Sequence, residues 1–189
     1  MGPAPLGPRS SAVKALQLLL LALLAGCSAG TPPRPARWQD APTLDALQAL
    51  LCRLDPECRW LRLRLLDTDR PLAEIRYRFE IVLSRGMLER AATTAERAFV
   101  LAHELGHLRL AHAPPRNADE RLPLELAADA WAVERLRAEG IDPAAGLGLL
   151  ERLAAELERA EPPPAGHASA LAEYARRRAA LARQLEPRP

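Results

Sequence analysis

Lysine is almost missing from this sequence. Lys14 is the only one, so 25 of the 26 basic residues are arginine, and Asn117 is the only asparagine. Such a bias follows from a GC-rich genome, so arginine content by itself points to no function. Neither sign of charge is in excess: 26 Lys plus Arg face 24 Asp plus Glu, a formal charge of +2. That balance excludes a polybasic nucleic-acid binder. With 49% of residues apolar, it also excludes an acidic disordered chain. Long apolar runs are lacking too. The longest, Val13 to Ala25, is about a dozen residues, too short to cross ~30 Å of hydrocarbon. What remains is 189 residues, enough for one domain with tails.

The short apolar run has its own logic. Arg9 and Lys14 make a basic start, the Leu/Ala-rich core follows, and the run ends Leu24-Ala25-Gly26-Cys27. This order resembles a bacterial lipoprotein signal: residues 1–26 are removed and Cys27 is acylated. Ser28 after the cysteine favours sorting to the outer membrane, so the protein is expected on the periplasmic face of that membrane, lipid-anchored in the cell envelope. Residues 1–26 hold two bases and no acid, so the remainder carries 24 of each sign and is neutral. Residues 27–42, with Pro32, Pro33, Pro35 and Pro42, read as a tether to a domain over 43–185.

Cys52 and Cys58 flank Asp55-Pro56. Outside the cytoplasm this pair favours a disulfide over two free thiols. Thr43 is expected to cap a helix to about Leu54. Alternation then predicts two half-buried, antiparallel strands, one over Leu61 to Leu65 and one over Ile75 to Ile81. Thr93 and Glu96 have capping-box spacing and open a helix to His112, before Pro114-Pro115. Pro123 suits a first turn and Gly140 a C-cap, predicting a helix over 123–139. A third helix runs from Asp142-Pro143 to about Ala160, and a last one, capped by Ser169, to about Leu185.

The first long helix holds His103-Glu104-Leu105-Gly106-His107. Histidines four apart share one helix face, so both imidazoles can face one ion, with Glu104 beside them as a general base. Catalytic zinc takes three protein ligands and keeps one position open. Leu110 and Ala113 exclude the longer metzincin pattern, and the spacing of His112 makes it a helix-end or surface histidine. A carboxylate from the next helix supplies the third ligand: Glu125 on the metal, and Asp129 one turn on to accept the other N–H of His103. Glu120 is the fallback ligand.

HELGH followed by Glu125-Leu126-Ala127-Ala128-Asp129 resembles the Peptidase_M48 family, which includes the HtpX-like and CAAX prenyl proteases. Ala138-Glu139-Gly140-Ile141-Asp142-Pro143 and Glu80 to Leu88 are similar to further segments of that family. The resemblance implies an α+β, zincin-like (gluzincin) metallopeptidase fold, mainly helical with a small antiparallel sheet. It implies Zn²⁺ on His103, His107 and Glu125, with peptide bonds hydrolysed by metal-activated water in envelope quality control. It also suggests that His167 approaches the pocket and assists catalysis. The expected partners are protein or peptide substrates, added as a strand along 73–83, and the membrane through the N-terminal lipid, with no nucleic acid. The same motif resembles the ImmA/IrrE regulators, which are cytoplasmic and at odds with the export signal. A non-catalytic envelope lipoprotein on a retained zinc fold is the remaining alternative.

Overall fold

The computed structural model describes residues 34–35 and 41–186. The expected signal, Cys27 and most of the tether lie outside the described residues. The order is β1 (Arg34–Pro35), α1 (Ala41–Leu54), a 3-10 turn (Cys58–Trp60), β2 (Arg62–Asp67), β3 (Ala73–Arg76), β4 (Glu80–Ser84), α2 (Arg85–Arg90), α3 (Thr94–Arg109), α4 (Ala118–Ala138), α5 (Ala144–Glu158) and α6 (His167–Leu185). This is an α+β chain, mostly helical. Among the described residues, no helix is long and apolar enough to cross a membrane.

The sheet corrects the expected topology. Its order is β1-β2-β4-β3 and it is mixed, not antiparallel. β2 and β4 run parallel, with Leu63 opposite Ile81 and Leu65 opposite Leu83. β3 is antiparallel to β4 and pairs Ile75 with Ile81. The alternation over 75–81 is therefore not one strand. The chain reverses at Tyr77 and Arg78, both at positive φ (52° and 64°), and the Phe79 N–H donates to the Arg76 carbonyl. Two positive-φ residues in a row are what a type I′ hairpin turn requires. Alternation continues through such a turn unchanged, and Tyr-Arg is not turn chemistry, so periodicity alone could not reveal it. β3 is left as an edge strand.

Local signals set the helices. The Thr93–Glu96 capping box forms as expected, with Glu96 N–H on Thr93 Oγ1 at 3.1 Å and Thr93 N–H on Glu96 Oε2 at 3.0 Å. α3 ends at Arg109, short of His112. Ala111 takes a left-handed φ of 54°, and the His112 N–H turns back to the His107 carbonyl at 3.0 Å. α4 starts at Ala118, five residues before the expected Pro123. Asn117 accepts from the Glu120 N–H at 2.9 Å, and this cap outweighs the one helical bond that Pro123 cannot donate. Gly140 closes α4 at φ 65°, with Ile141 N–H on Leu136 O at 2.9 Å, a Schellman closure. α6 starts at His167 after Gly166, not at Ser169, and α1 opens at Ala41, before Thr43.

α3 is buried on nearly every face, with Ala98 through Gly106 all enclosed, polar His103 and Glu104 among them. It packs against α1, α4, α5 and β3, and Phe99, Leu101 and Leu105 lie in the core with Leu51, Ile81, Leu83, Leu136, Leu149 and Leu181. Cys52 and Cys58 are bonded to each other. Within the loop they close, Asp55 and Glu57 both accept from Arg109, at the last turn of α3.

Candidate metal centre

α3 and α4 approach each other unusually closely. A Cβ on Gly106 would lie 3.0 Å from both Cα and the carbonyl oxygen of Ala128. Either side of this contact, α3 presents His103 and His107, and α4 presents Glu125 and Asp129. His103 Nε2 lies 3.1 Å from His107 Nε2. Glu125 reaches His103 Nε2 at 3.3 Å and His107 Nε2 at 3.9 Å. Ligand atoms of these three residues lie within 4.8 Å of one another. Tetrahedral zinc with bonds of ~2.0–2.1 Å has ligand–ligand edges of ~3.3 Å, so the spacing and the His–His–Glu donor set fit a divalent ion.

The surrounding groups fix these three side chains. Asp129 Oδ1 accepts from His103 Nδ1–H at 2.8 Å, which turns Nε2 toward the cluster. Asp129 is in turn gripped by Arg177, Nε on Oδ2 and Nη2 on Oδ1, both at 2.8 Å. Arg177 Nη1 also reaches Glu125 at 2.8 Å. On the other side, His112 Nδ1 lies 2.9 Å from His107 Nδ1. With Nε2 of His107 facing the cluster, its Nδ1–H donates and neutral His112 accepts.

Burial and neighbours sort the protonation states. Burial pulls His103 down, but hydrogen bonds to Asp129 and Glu125 outweigh it and its pKa is pushed up to about 9. Burial and the His103 charge push His107 down to about 4. Burial opposes charge on Glu125 and Asp129, yet His103 and Arg177 hold both below the carboxylate range. Glu104 differs. Burial raises it to about 7, and its carboxylate makes no hydrogen bond to another described residue. A buried, unengaged carboxylate near neutrality is suited to taking and returning a proton.

His103, Glu104, His107 and Glu125 line a cleft of about 610 Å³, with Asp129 behind them. One wall is the β3 edge, including Glu74 and Ile75, and another is α6 with Tyr174 and Arg177. The structure thus gathers His103, Glu104, His107, Glu125 and Asp129. It does not bring in His167, which opens α6 with its Nδ1 buried and unpartnered, and which does not line this cleft. Glu120 is engaged by Arg116 instead. His112, expected at a helix end or surface, is drawn against His107 by the turn at Ala111.

Arg177 is the residue that sequence reasoning misses. The signal for it is faint: in the run Arg176-Arg177-Arg178, helical spacing from Tyr174 and Leu181 sets Arg176 aside but admits both Arg177 and Arg178 to the inward face of α6.

Residues 76–122 match the model of Peptidase family M48. The match runs from the end of β3 to the start of α4 and includes HELGH, but stops three residues before Glu125. No curated protein matches the chain.

Proposed function

From the match of residues 76–122 to the model of Peptidase family M48, we propose that the protein is a zinc-dependent metalloendopeptidase of the zincin, glutamate-ligand type, lipid-anchored in the bacterial cell envelope. The carrying observation is the convergence of His103, His107 and Glu125 beside the buried, unengaged Glu104. His103, His107 and Glu125 would hold the ion. When bound, zinc supplies Lewis acidity, lowering the pKa of a coordinated water and polarising a carbonyl. Glu104 accepts the proton on its carboxylate and returns it to the leaving amine. Asp129 fixes the tautomer of His103, and Arg177 holds Asp129 and Glu125 in place.

Peptide adds along the free edge of β3, where backbone hydrogen bonds give affinity with little demand on sequence. That suits unfolded or damaged envelope proteins as substrates. The anchor is acylated Cys27 after removal of residues 1–26, with residues 27–42 as tether and the catalytic domain over 43–185, on the periplasmic face of the outer membrane. Acylation is read from the mass of the N-terminal peptide. Cleavage of a denatured protein is expected to stop with a chelator and return with zinc. Cleavage that persists unchanged after zinc removal overturns the reading.

A further inference from the structure

Four large apolar side chains stand most exposed among the described residues, and three of them gather at one end of the sheet. Trp60 is 68% exposed, Tyr77 76% and Phe79 45%. The Arg62 N–H donates to the Phe79 carbonyl at 2.8 Å, so the 3-10 turn and the β3–β4 hairpin are neighbours. Tyr77 and Phe79 stack with ring centroids 6.0 Å apart, and the Arg59 guanidinium lies 5.1 Å from the centre of the Trp60 ring. Arg59, Arg62 and Arg78 are exposed and have no acidic partner among the described residues. The acids nearest in sequence are already engaged: Glu57 by Arg109, Glu74 by Arg76 and Glu80 by Arg64. The result is an aromatic patch with an uncompensated cationic rim.

Folding does not account for it. Tyr77 and Arg78 sit at positive φ, where Asn-Gly is the sequence such a turn favours. Two bulky residues held in that conformation and aimed at solvent contribute nothing to the core. Strain kept at an exposed position points to a use for its side chains.

We propose that this end of the sheet docks on an anionic phospholipid bilayer surface. Trp and Tyr settle at the level of lipid headgroups, and arginines beside them attract anionic headgroups while their stems lie along the apolar layer. From the proposed function this takes only the lipid on Cys27. Arg34 pairs with Asp67, five residues and so ~17 Å along β2 from Arg62 at the patch, and the seven residue steps from Cys27 to Arg34 reach up to ~25 Å in extended chain, enough to span that length. One acylated residue and one protein surface then act together, as stable anchoring requires. The hairpin continues directly from Glu74 and Ile75 of the cleft wall, so docking would hold the mouth of the cleft at the bilayer.

The test is quenching of Trp60 by lipid. Full chain is reconstituted in vesicles of phosphatidylglycerol and phosphatidylethanolamine with brominated acyl chains. The Trp60 signal is the difference between the parent and Trp60→Phe, which leaves Trp38 and Trp131 in both. We expect the Trp60 signal to fall about twofold or more relative to unbrominated vesicles. The Tyr77→Asn/Arg78→Gly variant suits the turn better, so it folds. It should leave Trp60 unquenched. Trp60 that is equally bright in both vesicles overturns the proposal. So does quenching that is unchanged in the turn variant, or Trp60 shielded by denatured casein and not by lipid. The last result assigns the patch to protein substrates. The mass of the N-terminal peptide reads acylation of Cys27 separately, so a failed anchor and a failed patch are told apart.

Discussion

Gly106 packs directly on the backbone of Ala128, and the site depends on that contact. Gly106 lies between His103 and His107, and Ala128 between Glu125 and Asp129, so the closest approach of α3 and α4 sets the distance from histidines to carboxylates. A Cβ there would meet Ala128 Cα and O at 3.0 Å and its Cβ at 3.4 Å. Backbone atoms cannot swing aside. Gly106→Ala gains about 1 kcal/mol of helix propensity but is overpacked by about 1–3 kcal/mol. We expect a net loss of stability by denaturant titration and a fall in zinc affinity.

Gly148 gives the contrasting case. It lies inside α5, and an added Cβ meets nothing within 4 Å. Gly148→Ala should therefore stabilise by about 0.5–1 kcal/mol. A denaturant midpoint that does not rise would mean α5 is packed differently.

Arg177 neutralises Asp129 and Glu125 inside the core. It is 8% exposed and Asp129 is 2% exposed, so removing the guanidinium leaves the buried Asp129 carboxylate with only His103 and takes a cation from half-buried Glu125. Arg177→Met should cost about 3–5 kcal/mol. Arg177→Lys keeps the charge but loses the two-pronged grip on Asp129, and should recover part of the stability.

His112 accepts from His107, one of the three proposed metal ligands. His112→Phe keeps the ring volume and removes the acceptor, so zinc affinity should fall about 10-fold. Ala111→Gly relieves the left-handed strain that places His112, and should stabilise by about 1 kcal/mol with zinc affinity retained.

Acid should weaken the start of α3. Burial works against charge on Glu96, but the Arg152 guanidinium and the Thr93 backbone N–H outweigh it and hold the carboxyl below its ordinary 4.5. The folded pKa is thus the lower one. The stabilisation is complete above the unfolded value and is lost as pH falls through the folded one. Glu96→Gln should be less stable than the parent at pH 7, with the gap closing as the pH drops below about 4.

Much of this site could be read from the sequence because helix spacing is rigid. His103, Glu104 and His107 share a face by periodicity, and Glu125 and Asp129 do so one helix later. The Thr93–Glu96 box and the Gly140 closure were equally local. What escaped depends on distant partners or on strained backbone. The turn at Tyr77–Arg78 hides inside an unbroken alternation, and with it the mixed sheet. His112 is brought in by a left-handed alanine that no local rule expects. Arg177 is one of three consecutive arginines, and only packing against Asp129 selects it. His167 shows the reverse: the resemblance to a protease family suggests a place in the cleft, but the chain starts α6 there without directing it to the cluster.

The most direct test compares the full-length parent with Glu104→Gln for zinc content and for cleavage of a denatured protein in the same preparations. Both should carry one zinc per chain, and only the parent should cleave. Equal cleavage by the two, or a parent that holds no zinc with His103, His107 and Glu125 intact, would contradict the account.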